Sequence, residues 1–122
     1  GLLESLSLNF FLSFFFTALN SKIYQEFKIT ASGEAIKFAN GILICHGAAS
    51  SGFAYTFPIS FVAPPVMTAT CIADDGNGGN AYIAFTQKLS STGFTLQTRY
   101  ISTSLIAAAQ QGARWFAIGR WK

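Results

Sequence analysis

The stretch Asp74-Asp75-Gly76-Asn77-Gly78-Gly79-Asn80 is the part of this chain best equipped to hold a polar ligand. Asp74, Asp75, Asn77 and Asn80 supply acceptors and donors of the kind that bind hydroxyl groups, and the glycines between them let the backbone approach closely. Tyr82, Tyr100 and Trp121 add aromatic faces that can stack on a sugar ring while keeping a polar handle. A solvated hairpin loop has the same composition as residues 74–80, and the three aromatics serve equally well in a core or a subunit interface. For Trp115 the core or interface role is preferred. The loop superficially resembles a calcium-binding one, but the alternating ligands and distal glutamate of an EF-hand are missing.

Catalytic and metal chemistry are poorly provided for. No Gly-x-Ser-x-Gly elbow and no Cys/His cluster occurs. The acids are Glu4, Glu26, Glu34, Asp74 and Asp75, and the adjacent Asp74/Asp75 pair is ill placed to flank a glycosidic bond. His46 is the only histidine, and in an apolar strand it reads as a packing residue. Cys45 and Cys71 lack metal-ligand spacing and read as free thiols in neighbouring strands, bridged only if geometry brings them together. No enzyme activity and no cofactor are expected.

Composition narrows the class further. The chain has 122 residues, one domain's worth, of which 51% are hydrophobic and only 11% charged; soluble domains carry about 25% charge. So little charge, with thirteen Phe, favours an oligomer whose surface becomes interface. The net charge of +3 comes from scattered lysines and arginines without a basic run, so nucleic acid is not an expected partner.

The elements that must position these residues are strands. Arg114-Trp115-Phe116-Ala117-Ile118-Gly119-Arg120-Trp121-Lys122 is a strand with Trp115, Ala117, Gly119 and Trp121 on one face and Phe116, Ile118 and Arg120 on the other. The small residues between the indoles leave room for a segment lying over Ala117 and Gly119. Both faces are expected to be covered, one by the core and the other by a second sheet or a second copy of the chain. Asn40-Gly41 predicts a two-residue hairpin turn after a strand at Ile36–Phe38. Ile42–Gly47, Phe53–Phe57, a short Ile59–Phe61, Val66–Ala73 and Ala81–Lys88 follow as strands, with Gly47–Gly52 a turn. Phe94, Leu96, Thr98 and Tyr100 form the inner face of the next strand, and residues 101–112 a loop with one helical turn at Leu105–Ala109. Residues 21–40 read as a connector with a strand near Phe27–Thr30 and a turn at Ser32-Gly33-Glu34. Short strands at this spacing indicate a small antiparallel β-sandwich.

Residues 1–20 are strongly apolar, yet Ser7, Asn9, Ser13 and Thr17 interrupt the run and no basic start precedes it. A helix or strand packed between copies is favoured, ahead of a core element and then a membrane-interface peptide. Gly1 reads as a cloning remnant or a cut inside a longer protein. The division is a 1–32 extension and a 33–122 sandwich.

Phe38-Ala39-Asn40-Gly41-Ile42-Leu43-Ile44-Cys45-His46-Gly47 resembles the opening of phage tail-fibre C-terminal knob domains. Phe57-Pro58-Ile59-Ser60-Phe61, Pro64-Pro65-Val66, Gly93-Phe94-Thr95-Leu96 and Trp115-Phe116-Ala117-Ile118-Gly119-Arg120-Trp121 continue that pattern in the family's order. The same order is similar to that of H-type lectins. Across residues 33–122 the resemblance implies an H-type-lectin-like sandwich in a homotrimer at a tail-fibre tip, on the virion, attaching to a host cell-surface glycan or other receptor. A purely structural trimerisation cap, or a free-standing H-type lectin, is the alternative. Galactosamine specificity does not carry over, because Ala81 stands near where the lectins place an Arg.

Overall fold

A computed structural model describes residues 2–72, 81–102, 105–109 and 112–122, apart from the side chains of 16–22. Helix α1 (Leu2–Ile23) leads into nine strands: β1 (Tyr24–Thr30), β2 (Gly33–Phe38), β3 (Ile42–Ser50), β4 (Ala54–Thr56), β5 (Val66–Cys71), β6 (Ala81–Gln87), β7 (Gly93–Ile101), β8 (Ile106–Ala108) and β9 (Gly112–Arg120). One sheet has the order β1-β2-β3-β9-β5. The other has β4-β7-β6, with β8 also pairing β7. Every pairing is antiparallel. The expected small all-β sandwich is present.

β9 is central because both its neighbours need it. It pairs with β3 from Ile42↔Arg120 to Ser50↔Gly112 and with β5 from Val66↔Ile118 to Cys71↔Ala113. Its inward residues Ala113, Trp115 and Ala117 are buried with Leu43, Cys45, Ala49, Phe94 and Leu96. Phe57 and Phe61 complete the core. Phe57 lies 5.7 Å from Trp115, 5.5 Å from Phe94 and 5.0 Å from Phe61, ring to ring. A methyl group on Gly119 would stand 2.8 Å from the Phe61 ring. The close cover expected over Ala117 and Gly119 is thus the β4–β5 connection.

That connection is not the short strand expected at Ile59–Phe61. Pro58 and Pro64-Pro65 lack the N–H a ladder needs, and single bonds fasten the segment to both sheets. Phe57 N–H donates to Thr92 O, Phe61 N–H to Ser91 O and Val62 N–H to Arg120 O. The turn expected at Gly47–Gly52 also shrinks. β3 runs on to Ser50, because β9 offers partners that far and Gly47 fits beside Trp115 and the Ser32 carbonyl without a side chain. In place of a helical turn, residues 106–108 add to β7 as β8. The Asn40-Gly41 hairpin has three loop residues rather than two. Gly41 N–H donates to Phe38 O, and Gly41 takes φ +100°, the geometry of a type I turn closed by a glycine bulge.

β1 is longer than expected and pairs with β2 to its end. The register slips between Tyr24 and Glu26, and this bulge breaks the alternation that would otherwise mark the strand. Cys45 and Cys71 are free, as expected, but they lie on β3 and β5 with β9 between them rather than on neighbouring strands. α1 makes its main contact with β1 and is exposed at every position from Leu2 to Phe15. Those residues are therefore not core of their own chain. Among the described residues no helix is long and apolar enough to cross a membrane.

Candidate binding surfaces

Of the residues expected to bind a ligand, Asp74, Asp75, Asn77 and Asn80 lie outside the described residues. Tyr82 and Tyr100 are direct cross-strand partners on β6 and β7, with ring centroids 5.5 Å apart at 60°. Both are half-buried. On the opposite face of these strands the Arg99 guanidinium sits 5.3 Å from the centre of the Phe85 ring, and its Nη1 donates to Thr98 O at 2.9 Å. The tyrosine pair is therefore a corner of its own, without that cation.

Trp121 does not belong to it. The bonds from Phe61 N–H to Ser91 O and from Val62 N–H to Arg120 O tie the Ser91 end of β7 to the Arg120 end of β9, whereas Tyr100 is at the other end of β7. The indole of Trp121 is also already occupied. Its Nε1 donates to Phe38 O at 2.7 Å, and the ammonium groups of Lys37 and Lys122 stand 4.2 and 4.9 Å from its centre. Glu26 lies 3.8 Å from Lys37 and steadies that cation.

A second surface emerges from the register of the five-stranded sheet. Residues directly opposite across a ladder share a face. Phe27, Ile36, Ile44, Ile118 and Val66 therefore form one continuous row from β1 to β5 on the face away from the core. Ile29, Glu34, His46, Phe116 and Thr68 form the next row. His46 is exposed rather than packed in the core, because its position in β3 is outward. Its Nε2 lies 3.3 Å from Glu34 Oε2. Over this second row an open groove of about 440 Å³ runs past Thr30, Ser32, Glu34, His46 and Arg114. Gly33 and Gly47 let the Trp115 indole reach its floor. At the β5 end the first row continues into a hollow of about 240 Å³ lined by Val62, Pro64 and Pro65.

The alternation of Phe116 and Ile118 already signals half of this surface in the sequence. The β1 half was hidden, because the bulge shifts Phe27 and Ile29 out of phase with Tyr24.

Among curated proteins the chain has no match. Its fold is similar to that of the P. aeruginosa R2 pyocin fibre, with a TM-score of 0.56 and 17% identity over 78% of this chain. The chain spans 25% of the length of that fibre structure. An N-truncated R1-type pyocin tail fibre overlaps 73% of this chain and 80% of its own, at 20% identity and a TM-score of 0.48. At these identities the likeness is one of fold, and it is carried by the R2 fibre. The family assignment has a separate basis in the sequence: residues 37–120, well over half of the chain, match the model for the C-terminal part of gp53-like tail fibre proteins. The chain therefore belongs to the gp53-like tail fibre proteins and carries their C-terminal domain, a component of the virion's tail fibre.

Proposed function

We propose that this domain is the receptor-binding tip of a phage or prophage tail fibre, acting as a homotrimer that attaches to a host cell-surface receptor, with a glycan as the favoured class. Residues 33–122 would be the knob and residues 1–32 the extension joining it to the shaft. The observation that carries this reading is the match of residues 37–120 to a tail-fibre C-terminal domain. The tyrosine pair supports the placement of the site. Tyr82 and Tyr100 meet across β6 and β7, and Tyr82 follows the Asp74–Asn80 stretch closely in sequence, so aromatic faces and hydrogen-bonding side chains would serve one sugar together. Three such shallow sites on one rigid tip gain apparent affinity through effective concentration. In this reading the domain binds and does not catalyse.

The test is adsorption of the fluorescently labelled chain to a panel of bacterial cells, alongside a glycan array. Binding to some strains is expected. It should fall at least tenfold in Tyr82→Ala and in the double variant Asp74→Ala/Asp75→Ala, with oligomeric mass and circular dichroism unchanged. Unaltered adsorption by both variants would move the site elsewhere on the domain, and no adsorption by the wild type would favour a structural trimerisation cap instead. The apolar outward face of the five-stranded sheet is the observation that favours that second reading.

A further inference from the structure

We infer that the outward face of the β1-β2-β3-β9-β5 sheet is where a second copy of this chain docks. The inference rests on the oligomeric part of the reading above and does not depend on what receptor is bound.

The first argument is the polarity of β1, the edge strand. On its core-facing side β1 carries Glu26 and Lys28, and both are exposed because the smaller sheet does not reach them. On its outward side it carries Phe27 and Ile29, at 61% and 68% exposure. A strand wet on both faces has no reason to sort its residues in this way. The sorting makes sense if the outward face is covered in the working assembly.

The second argument is extent. Val66, Phe116 and Ile118 are 73%, 42% and 38% exposed, and the row joining Val66 and Ile118 to Phe27 crosses all five strands. With strands about 4.8 Å and residues about 3.3 Å apart, the face projects over roughly 400 Å². An apolar patch of a few hundred Å² is commonly the functional patch of a soluble protein. A standard interface takes about 800 Å² of accessible surface from each partner, the same order. The Val62–Pro65 hollow extends the face further at the β5 edge.

The third argument selects the occupant. The charges on the face are of both signs: Glu34 with His46 near its middle, and Arg114 and Arg120 toward its two ends. A nucleic acid or an anionic membrane would be met by a basic face, and Glu34 opposes both. A second copy instead brings arginines to meet an acid and apolar rows to meet apolar rows, so one part of the face is complementary to another, as copies arranged around a three-fold axis require. Arg120 is held for such a contact, with its guanidinium donating to Asn40 O and Lys122 O at 3.0 Å each.

The experiment measures the molar mass of the full chain in solution by light scattering, for wild type and for Ile118→Asp, Phe27→Asp and Ile83→Asp. Ile83 is an exposed residue of the four-stranded sheet and serves as the control. The wild type and Ile83→Asp should share a discrete multiple of 13.1 kDa. The two face variants should fall to a single chain, each with a native circular-dichroism spectrum. Oligomers that persist in both face variants overturn the inference while leaving the trimer intact, and assign association to α1 or another surface. A wild type that is a single chain, as when α1 folds over its own sheet, or that shows no discrete multiple, overturns the inference and the trimer together. Loss of cell adsorption with the mass unchanged strikes the receptor reading alone.

Discussion

Gly119 shows how one missing side chain shapes the core. The Phe61 ring occupies the space a methyl group would need, and Pro65 stands 3.3 Å from the same point. Gly119→Val forces the β4–β5 connection off β9 and should cost about 1–3 kcal/mol, read as a lower melting temperature in calorimetry. Cys45 makes a different prediction. Burial pushes its thiol from 9.0 up to about 11. The native state keeps this proton after the unfolded chain has lost it, so stability present below pH 9 drains away as pH rises toward 11. Urea midpoints measured from pH 8 to 11 should fall in the wild type and fall less steeply in Cys45→Ala. The Cys45 thiol should also resist alkylation at pH 8 until the protein unfolds.

Among the elements, β9 is supported on both edges and on its inner face, and β3 lies beside it. Their amides should exchange with deuterium most slowly, and those of β1 and β4 fastest, as mass spectrometry of the exchanging chain would resolve. Slowest exchange in β6 or β1 would contradict this order. The central place of β9 was legible in the sequence, since Trp115, Ala117 and Gly119 alternate with Phe116 and Ile118. So was the inner face of β7. Three things were not legible. The bulge at Tyr24/Glu26 broke the period of β1 and made it read as a connector. The alanines at 107–109 suit a helical turn by propensity, but the open edge of β7 at Arg99–Ile101 draws residues 106–108 into a strand. Gly47–Ser50 has turn-like composition, yet small residues are what the indole of Trp115 requires of β3. The site was legible in part, because Tyr82 and Tyr100 do meet. Trp121 was grouped with them by residue type alone, and type carries no information about which end of a sandwich a residue occupies.

On the scale of the whole molecule, the low charge of 11% and most of the thirteen Phe follow from three surfaces rather than one. The sandwich core takes Phe57, Phe61 and Phe94, the outward sheet face takes Phe27 and Phe116, and α1 displays Phe10, Phe11, Phe14 and Phe15. The proposed assembly would take the outward sheet face out of water, and the mass measurements above test that. The strand order has a further consequence for how the protein is made. β9 comes last of the nine in the chain but lies between β3 and β5, which precede it by dozens of residues. During synthesis β3 leaves the ribosome with only β2 to pair with and β5 with no ladder in this sheet, and the two wait for residues 112–120 to join them. Folding is therefore held back until translation has passed Arg120. Any message cut short before that point yields a chain with an open sheet, a ready substrate for proteases, so that incomplete products are removed before they can enter a fibre.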